Sequence, residues 1–555
     1  MAHRSSGAFA VKNHQAHFEI AVVRPKFSII TPVFNPPHDA FEKCIESVYA
    51  QGFEDWQWCL VDDKSTDPHV AQRLRELQVL DRRIVVYFRS ENGGIVAASN
   101  DALSLATGEF VVLLDNDDEL HADALAEVDA VIAREPLVDY VYSDEDKITP
   151  DGKHYDEFRK PRWSPERLRA QNYCSHISVI RTDLVNAVGR FREGFDGSQD
   201  HDLILRVTER TRRLAHVPKV LYHWRAIPGS AAVHPDEKPH AFVAGVRAVR
   251  EHLVRMGIDA SVSAVPGHSL IRAEQSLCFR PKVAIIIPTR GTRRRVFGIE
   301  VCLVEQCVDT LVRNSTYDRY RIVIIADAPT PPEVLDRLRA IGGARLEIVA
   351  YDKPFNYSEK CNLGVVTGDE EFFVLLNDDT EIITPSWIEV MLAYMNEPDV
   401  AMVGPMLLLE DGRIQSAGHS YTLHHHNFAN GLSSHELGPL GILTFAREVS
   451  GVTGACALLR SSAYHEVGGL SEAFPVSFND VDLGYKLLDR GYRIIWTPLA
   501  RLFHFESATR EASITPDEIE MLTRRWGRRF NRDEYTRVAW SLDAPSLDAI
   551  AHAAS

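Results

Sequence analysis

The sequence has few cysteines, and it has neither a secretory leader pattern nor a long apolar run. The chain of 555 residues contains eight cysteines, and none forms a Cys-x-x-Cys pair. Most lie in apolar segments, which predicts buried free thiols and favours a reducing compartment. The opening MAHRSSGAFAVKNHQAH has no apolar core of the kind that a secretory signal contains. Since no apolar run approaches the ~20 residues of a transmembrane helix, we expect a cytoplasmic protein, with at most peripheral contact at the inner face of the plasma membrane.

An excess of positive charge is also absent. The net charge is −17, which argues against nonspecific binding of nucleic acid and against a basic membrane anchor. One local basic run, RRWGRRF at 524–530, fits either contact with anionic lipid headgroups or a solvated helix end. The apolar content of 45% and charged content of 25% are ordinary for globular proteins. The length predicts roughly three to four domains.

Segments of the first half recur in the same order in the second half. The matched pairs are FSIITPVFN (27–35) with VAIIIPTRG (283–291), WCLVDDKST (58–66) with IVIIADAPT (322–330), NGGIVAASNDAL (92–103) with FNYSEKCNLGVV (355–366), LLDNDDEL (113–120) with LLNDDTEI (375–382), FDGSQDHDLILRV (195–207) with VSFNDVDLGYKLL (476–488), and LYHWR (221–225) with LFHFE (502–506). The spacing between partners drifts, as changes in loop length would cause. The sequence therefore predicts two copies of one domain.

Within each copy, strand and helix patterns alternate. FSIITPV, WQWCLVDD, RIVVYFR and EFVVLLD read as apolar strands, and HDAFEKCIESVYAQ, HVAQRLRELQVL and GIVAASNDALSLA read as helices. Strands this apolar predict an α/β fold with helices on both faces of a parallel sheet. We expect a loosely packed or disordered N-terminus at 1–22, a first domain at 23–235, a helical linker at 236–280, a second domain at 281–530 and a C-terminal tail at 531–555.

Acidic residues gather at the ends of these predicted strands. Asp62 and Asp63 end one strand, and Asp115, Asp117 and Asp118 end another. Such a cluster repels itself unless a cation relieves it. Oxygen-rich sites suit Mg²⁺ or Mn²⁺, and a departing diphosphate fits their remaining coordination positions. Helix capping and plain solvated acid remain alternatives, although the similar acidic run in the second copy weakens them.

These motifs resemble inverting family 2 glycosyltransferases of the GT-A fold. The first copy carries TPVFNP, LVDDKSTD, NGGIVAASNDALSLATGEFVVLLDNDD, FDGSQDHDL and YHWR. The second copy, with IIIPTRG, NYSEKCNLG, VLLNDDTEI, VTGACALLR, FNDVDLGYKLLDRGYRI and HFES, is similar to a rhamnosyltransferase-like branch. The tandem layout resembles bacterial polysaccharide proteins of the O-antigen type. The resemblance implies two tandem GT-A domains, which are Rossmann-like nucleotide-diphospho-sugar transferase folds.

The resemblance also implies residue roles. In the first copy it places the nucleotide-sugar at Thr31, Pro32, Asn35, Asp63 and Asp115, the metal at Asp115, Asp117 and His223, and the general base at Asp200. In the second copy it places the nucleotide-sugar at Pro288, Thr289, Asp327, Lys360 and Asn377, the metal at Asp379 and His504, and the base at Asp480. Asn377 stands where the first copy has Asp115, which weakens that metal motif without abolishing it.

The implied activity is transfer of a sugar from a UDP-, dTDP- or GDP-linked donor, with Mg²⁺ or Mn²⁺, to a growing glycan, either free or carried on a polyprenyl diphosphate. An alternative is one active domain with a degenerate second domain that binds acceptor. A sugar-1-phosphate nucleotidyltransferase would need a glycine-rich loop that IITPVFNPP lacks. A binding scaffold built on inactive domains would not need Asp200 and Asp480.

Two further motifs stay open at this stage. YSDEDKI at 142–148 fits either a contact with sugar hydroxyls or an acidic turn. HHH at 424–426 resembles a metal tract, but a polar loop near the acceptor cleft is favoured because adjacent residues of an extended segment converge poorly on one ion.

Overall fold

The two halves of the chain fold on one plan. The computed structural model describes residues 24–227, 239–265, 268–421, 426–505, 515–530 and 532–537. The strands of the first half are β1 (Phe27–Val33), β2 (Trp56–Asp62), β3 (Ile84–Phe88), β4 (Phe110–Leu113), β5 (Glu119–Leu120), β6 (Tyr140–Ile148), β7 (His154–Phe158), β8 (Ser178–Arg181) and β9 (Leu214–Arg225). Its helices are α1 (His38–Tyr49), α2 (Pro68–Leu80), α3 (Gly94–Leu105), α4 (Ala124–Arg134), α5 (Pro165–Ala170), α6 (Thr182–Ala187) and α7 (Gln199–Arg210).

A helix and a hairpin follow, and then the second half. The connecting elements are α8 (Pro239–Arg255), β10 (Ala260–Ala264) and β11 (Ile271–Gln275). The later strands are β12 (Val283–Thr289), β13 (Arg293–Val296), β14 (Ile299–Cys302), β15 (Tyr320–Asp327), β16 (Leu346–Tyr351), β17 (Phe372–Leu376), β18 (Thr380–Ile382), β19 (Val400–Leu408), β20 (Ile414–Ser416), β21 (His419–Ser420), β22 (His426–Asn427), β23 (Arg447–Glu448), β24 (Cys456–Arg460) and β25 (Arg493–His504). The later helices are α9 (Leu303–Asn314), α10 (Pro332–Gly342), α11 (Tyr357–Val365), α12 (Trp387–Tyr394), α13 (Ser461–Glu466), α14 (Asn479–Asp489) and α15 (Pro516–Trp526).

The two large sheets have the same strand order. It is β3-β2-β1-β4-β8-β6-β9-β5 in the first half and β16-β15-β12-β17-β24-β19-β25-β18 in the second. The first four strands of each are parallel, as the sequence predicted. β8 and β24 then run antiparallel to both neighbours, so each complete sheet is mixed. The predicted duplication is confirmed as a duplication of topology.

Both faces of each sheet are covered, which explains the apolar character of the central strands. β12, VAIIIPT, is buried along its whole length. In α1 the predicted apolar face of Phe41, Ile45 and Val48 is buried against the first sheet. A fully buried apolar side chain of this size contributes roughly 1.5–3 kcal/mol. The carboxyl ends of the parallel strands meet at one edge of each sheet, which is where ligands bind in folds of this type.

The segment between the halves packs on the first half. Ala248, Val249 and Leu253 of α8 lie in the same apolar cluster as Leu203 and Val207 of α7. The region predicted as a helical linker therefore covers one face of the first sheet, next to the helix that begins at Gln199.

A buried group of charged side chains joins the halves. Arg169 Nη1 donates to Glu397 Oε1 at 2.8 Å, and Arg493 Nη2 lies 3.1 Å from Glu166 Oε1 and 2.8 Å from Glu448 Oε1. All five side chains are at most 10% exposed. Removing one charge would leave its partners unpaired away from water, which is costly. Burial, first of all, raises the pKa of Glu166 to about 7, and Arg169 opposes that rise.

The basic run near residue 526 is engaged within the second half. Trp526 Nε1 donates to Asp482 Oδ1 at 2.8 Å, Arg525 lies 3.0 Å from the same atom, and Arg529 pairs with Asp489. Glu518 of the same helix accepts hydrogen bonds from the Val476 and Ser477 amides. The helix α15 thus braces the loop before α14.

Two composition-based expectations have structural outcomes. Seven cysteines are buried free thiols, and Cys278 is exposed. In the part of the chain that the structure describes, every helix is too short or too polar to cross a bilayer.

Candidate active sites

One cavity in the first half brings together three of the predicted site residues, Pro32, Asp115 and Asp200. Asp115, directly after β4, and Asp200, in the first turn of α7, both line it. Pro32 of β1 lines it as well, together with His176 and Tyr222. Because β1 and β4 are neighbouring parallel strands, their carboxyl ends open into the same space. A carboxylate at the strand edge and a carboxylate at a helix start thus face one small cavity.

The acidic loop after β4 is held by hydrogen bonds from the last strand. Tyr222 donates its hydroxyl to Asp118 Oδ2 at 2.6 Å, and the Arg225 amide donates to Asp118 Oδ1 at 2.8 Å. Burial raises the pKa of Asp118 well above its usual range, and the charges of Asp117 and Asp115 add to the rise. The next helix begins only at Ala124, after Asp123, so helix capping does not account for this loop.

His176 is a residue that the sequence reasoning missed. Its ring stacks on Tyr222 with the centroids 4.5 Å apart, and its ligand atoms lie within 4.8 Å of those of Asp115 and Asp118. Burial alone would lower the pKa of His176, but Glu145, followed by Asp118 and Asp115, raises it to about 9. An imidazolium here offsets part of the acidic charge. Lone histidines carry no periodic signal, so nothing in the sequence marked this one.

The two acids of SQDHD have different surroundings. Asp200 accepts a hydrogen bond from Asn172 Nδ2 at 2.8 Å and faces the cavity. Asp202 is fully buried and accepts hydrogen bonds from Arg192 Nε and Arg206 Nε at 3.0 and 2.9 Å. Asp202 therefore anchors α7, while Asp200 is the acid presented to the cavity.

The predicted nucleotide-binding side chains of the first half shape loops at the sheet edge. Asp63 accepts from the amides of Gly93 and Gly94, both at 2.8 Å, and pairs with Arg89. Asn35 Oδ1 accepts from the amides of Thr66 and Asp67 at 2.9 and 3.2 Å.

Thr31 differs from the other predicted nucleotide contacts. It is fully buried, and its hydroxyl accepts from Trp58 Nε1 at 3.0 Å. The hydroxyl of Thr31 is thus committed to the core, whereas Pro32 reaches the cavity.

In the second half three predicted residues converge. His504 Nε2 lies 3.1 Å from Asp379 Oδ1 and 3.3 Å from Asn377 Nδ2. Asp379 is buried, and its Oδ1 is paired with His504 Nε2. Burial alone would raise the pKa of Asp379, but the adjacent His504 lowers it. A buried carboxylate beside an imidazole nitrogen and an amide fits a divalent cation of the Mg²⁺ or Mn²⁺ type.

A short chain of contacts links this group to the predicted base. The Tyr357 hydroxyl lies 3.0 Å from both Asn377 Oδ1 and the Gly454 carbonyl oxygen. The Gly454 amide in turn donates to Asp480 Oδ2 at 3.0 Å. Asp480 occupies the first turn of α14, as Asp200 does in α7. The second half therefore repeats the pairing of a strand-end acid with a helix-start acid.

Lys360 and Asp327 lie next to this group. Lys360 Nζ is 2.8 Å from Asp327 Oδ1 and also reaches the Thr289 carbonyl at 3.4 Å. Thr289, which follows Pro288 in β12, donates its hydroxyl to Asp378 Oδ2 at 2.6 Å. Burial and then Asp379 raise the pKa of Asp378 to about 7. The positive charge of Lys360 is thus paired with the carboxylate of Asp327.

The two predicted metal-binding histidines do not occupy equivalent positions. His504 pairs with Thr380, whereas His223 pairs with Glu119, which matches Glu381 rather than Thr380. The pairing of β6 with β9 and that of β19 with β25 skip the same net number of residues, so Trp224, not His223, stands at the position of His504. Neighbouring residues of a strand point to opposite faces of a sheet. His223 accordingly contacts Asp146, with Nδ1 2.6 Å from Oδ1.

The structure also shifts one motif pairing by one residue. Asn100 exchanges two hydrogen bonds with the Phe191 backbone, and Asn362 does the same with Leu470. The matching residues of α3 and α11 are therefore Asn100 and Asn362. Both asparagines fix the loop that leads towards the predicted base.

Models of known protein families match both halves of the chain. A model described as "Glycosyl transferase family 2" matches residues 28–189, and a model described as "Glycosyltransferase like family 2" matches residues 281–529. The repeated mixed α/β sheets with strand-end acids are thus two tandem GT-A domains. The chain belongs to glycosyltransferase family 2, with one family domain in each half.

Curated relatives extend over nearly the whole chain. An uncharacterized protein of Sinorhizobium fredii, y4gI, is 38% identical over 90% of this chain and 56% of its own length. The O-antigen biosynthesis protein RfbC of Myxococcus xanthus is 34% identical over 89% of this chain and 38% of its own length. The chain thus spans about half or less of these relatives. A structure of Staphylococcus aureus TarS with UDP is 21% identical over 41% of this chain and 65% of that chain, at a TM-score of 0.34, too low to support the assignment.

Proposed function

We propose that this chain is a bifunctional, inverting, cation-dependent glycosyltransferase, with one active site in each half. The observation that carries the proposal is the repeated pairing of acids: Asp115 and Asp200 line one cavity, and Asp379 and Asp480 belong to one contact network. Inverting transfer needs a charge-stabilising site for the leaving diphosphate and a separate base for the acceptor. Each half supplies residues for both needs.

In the second half, Asp480 is the general base. It takes the proton from the acceptor hydroxyl as that oxygen attacks the anomeric carbon, opposite the departing nucleotide diphosphate. The Gly454 amide fixes one oxygen of Asp480, so the carboxylate is oriented before the acceptor arrives. General-base assistance of this kind contributes roughly 10²- to 10⁴-fold to the rate.

Mg²⁺ or Mn²⁺ would be held by Asn377, Asp379 and His504. The ion would offset the negative charge of the leaving diphosphate. Gln415 Oε1 lies 2.8 Å from His504 Nδ1, which orients the ring so that Nε2 faces Asp379. A hydrogen bond on the far nitrogen is the usual way in which a protein fixes a metal-binding imidazole.

In the first half, Asp200 is the base and Asp115 and Asp117 are the acids that hold the cation. His176 lies where an imidazole meets Asp115 and Asp118, so it is a candidate for the position that His504 holds in the second half. Pro32 lines the cavity, and the nucleotide is assigned to it and to the loops braced by Asn35 and Asp63 at the same edge of the sheet. In the second half the nucleotide is assigned to Asp327 and Lys360.

The donors are UDP-, dTDP- or GDP-sugars, and the acceptor is a growing bacterial glycan. The similarity to a protein named for O-antigen biosynthesis supports this acceptor class, as does a chondroitin synthase of Pasteurella multocida that is 26% identical over 36% of this chain. An acceptor linked to polyprenyl diphosphate would bring the protein to a membrane surface.

The test is a transfer assay with UDP-, dTDP- and GDP-sugars and Mg²⁺ or Mn²⁺, on the wild-type chain and on Asp200→Asn, Asp480→Asn and the double variant. Two active sites predict that each single variant loses one transfer and the double variant loses both. If one single variant behaves like the wild type with every donor, that half binds without catalysing, and the alternative of a single active domain holds.

A further inference from the structure

Three side chains of the first half form a cluster apart from the acids that the proposed function uses. Asp146 lies near the end of β6, His223 lies opposite it on β9, and His154 begins β7. Asp146 belongs to YSDEDKI, the acidic stretch whose role the sequence left open. β6 pairs with both β7 and β9, so the sheet itself brings the three residues together.

The distances within this cluster are short. Asp146 Oδ1 is 2.6 Å from His223 Nδ1, and Asp146 Oδ2 is 2.9 Å from His154 Nδ1. The two imidazole rings are 4.6 Å apart, and one ligand atom from each of the three residues lies within 4.8 Å of the others. Ligands of a tetrahedral zinc ion lie about 3.4 Å from one another, given bonds of about 2.0–2.1 Å. Small side-chain rotations would therefore admit an ion.

The cluster lies on the side of β9 opposite to Tyr222. Tyr222 reaches Asp118 with its hydroxyl, and successive residues of a strand point to opposite faces. His223, the next residue, points to the other side, where it meets Asp146 and His154. Arg225, on the same side as His223, contacts the Asp117 carbonyl oxygen and Glu119, so the cluster borders the acidic loop but contains none of its acids.

We propose that Asp146, His154 and His223 bind a divalent transition ion of the Zn²⁺ class. Two imidazoles and one carboxylate form a donor set that suits zinc, whereas sites for Mg²⁺ or Mn²⁺ are rich in oxygen ligands. The fourth position is open to water or to His121, whose ring centroid lies 6.0 Å from that of His223. The bound ion joins β7 to β6 and β9 and stabilises this edge of the sheet.

Zinc binding to the full-length chain tests the proposal, with Co²⁺ as the spectroscopic substitute. All proteins carry His424→Ala, His425→Ala and His426→Ala, so that the histidine tract contributes nothing to the ion binding that is measured. After chelation and dialysis, Co²⁺ is added to this parent, to His154→Ala and His223→Ala, and to the matched control His435→Ala, which changes an exposed histidine. Zn²⁺ affinity is then measured by competition with a chromophoric chelator.

We expect one tetrahedral Co²⁺ spectrum in the parent and in His435→Ala, displaced by Zn²⁺. His154→Ala and His223→Ala should lose more affinity than the roughly 10- to 100-fold that loss of an outer partner costs. The spectrum should persist in Asp117→Asn/Asp379→Asn, because those acids belong to the proposed diphosphate sites. Loss of the signal in that double variant, an unchanged affinity in both histidine variants, or a parent that binds no Zn²⁺ would overturn the proposal. His154 is exposed, so its variant is expected to fold normally, which circular dichroism checks.

Discussion

The two halves share one strand order and one net register of the last long strand, but their histidines stand one position apart on it. In the second half, β25 carries His504 to the strand-end acids, where it meets Asp379. In the first half Trp224 stands at that position, His223 precedes it and faces the other side of the sheet, and Tyr222 reaches the acidic loop. The short motifs YHWR and FHFE look equivalent as letters. Their difference shows that an offset of one residue between two strands moves a side chain to the opposite face.

The imidazole near the acids also comes from different places. His504 lies on the last strand, whereas His176 lies just before β8. By the pairing of β4 with β8 and of β17 with β24, the counterpart of His176 in the second half is Ala455. Its neighbour Gly454 contacts Asp480 through its amide. The two halves thus reach a similar set of chemical groups by different routes, and they need not use the same donor.

The largest expected effect comes from the two helix-start acids. Asp200→Asn and Asp480→Asn keep the shape of the side chain but remove the base, so we expect a loss of roughly 10²- to 10⁴-fold in one transfer rate each. Steady-state rates with separate donors measure this. Asp202→Asn offers a contrast in the first half, since it should reduce stability through Arg192 and Arg206 rather than abolish chemistry selectively.

The next effect separates the two histidines. His504→Ala should weaken Mn²⁺-dependent nucleotide binding by the second half by more than ~100-fold, because it removes a proposed ligand rather than an outer partner. His223→Ala should leave nucleotide binding by the first half unchanged, because the side chain faces Asp146. Calorimetric titration with nucleotide and Mn²⁺ measures both. Equal losses in the two variants would contradict the different positions of the two histidines.

A smaller effect is expected at Gln415. Gln415→Met removes the acceptor for His504 Nδ1 and should cost about 10- to 100-fold in Mn²⁺ affinity at the second site. Gln415→Glu keeps an acceptor oxygen and should restore binding. Electron paramagnetic resonance of bound Mn²⁺ reports whether nitrogen coordination is lost in the first variant and retained in the second. Loss in both would point to general disruption of the core.

The smallest expected effect is a pH-dependent change in stability at the buried charged group that joins the halves. The pKa of Glu166 is raised to about 7 in the folded chain, so the folded state holds its proton more tightly than the unfolded state does. Its contribution to the free energy of unfolding is therefore full below about pH 4.5 and falls as the pH rises towards 7. The free energy of unfolding of Glu166→Gln, minus that of the wild type, should therefore rise by about 1–3 kcal/mol between about pH 5 and pH 8. Denaturant unfolding at the two pH values measures it, and a constant difference would contradict it.

Much of the fold could be predicted from the sequence because its signals are local. Apolar runs and helical spacing located β1 to β4 and α1 to α3, and the repeat predicted a second copy. The meeting of Asp115 with Asp200, and of Asn377 with Asp379 and His504, follows from strand ends that share one edge of a sheet.

What could not be predicted depends on pairing between distant strands. The direction of His223 depends on the pairing of β9 with β5 and β6, so it has no signature in its own neighbours. His176 and Gln415 lie on segments with ordinary patterns, and only the fold brings them to the acids. The packing of α8 on α7 likewise depends on contacts between separate segments, which the pattern of neither helix predicts.

The most direct test of two equivalent acid-based sites is the number of nucleotides that the full chain binds. Titration with UDP, dTDP and GDP in the presence of Mn²⁺, on the wild type, Asp117→Asn, Asp379→Asn and the double variant, gives that number. We predict two bound nucleotides in the wild type, one in each single variant and none in the double variant. A wild-type chain that binds nucleotide equally well without the cation, or whose binding survives the double variant, would contradict the account.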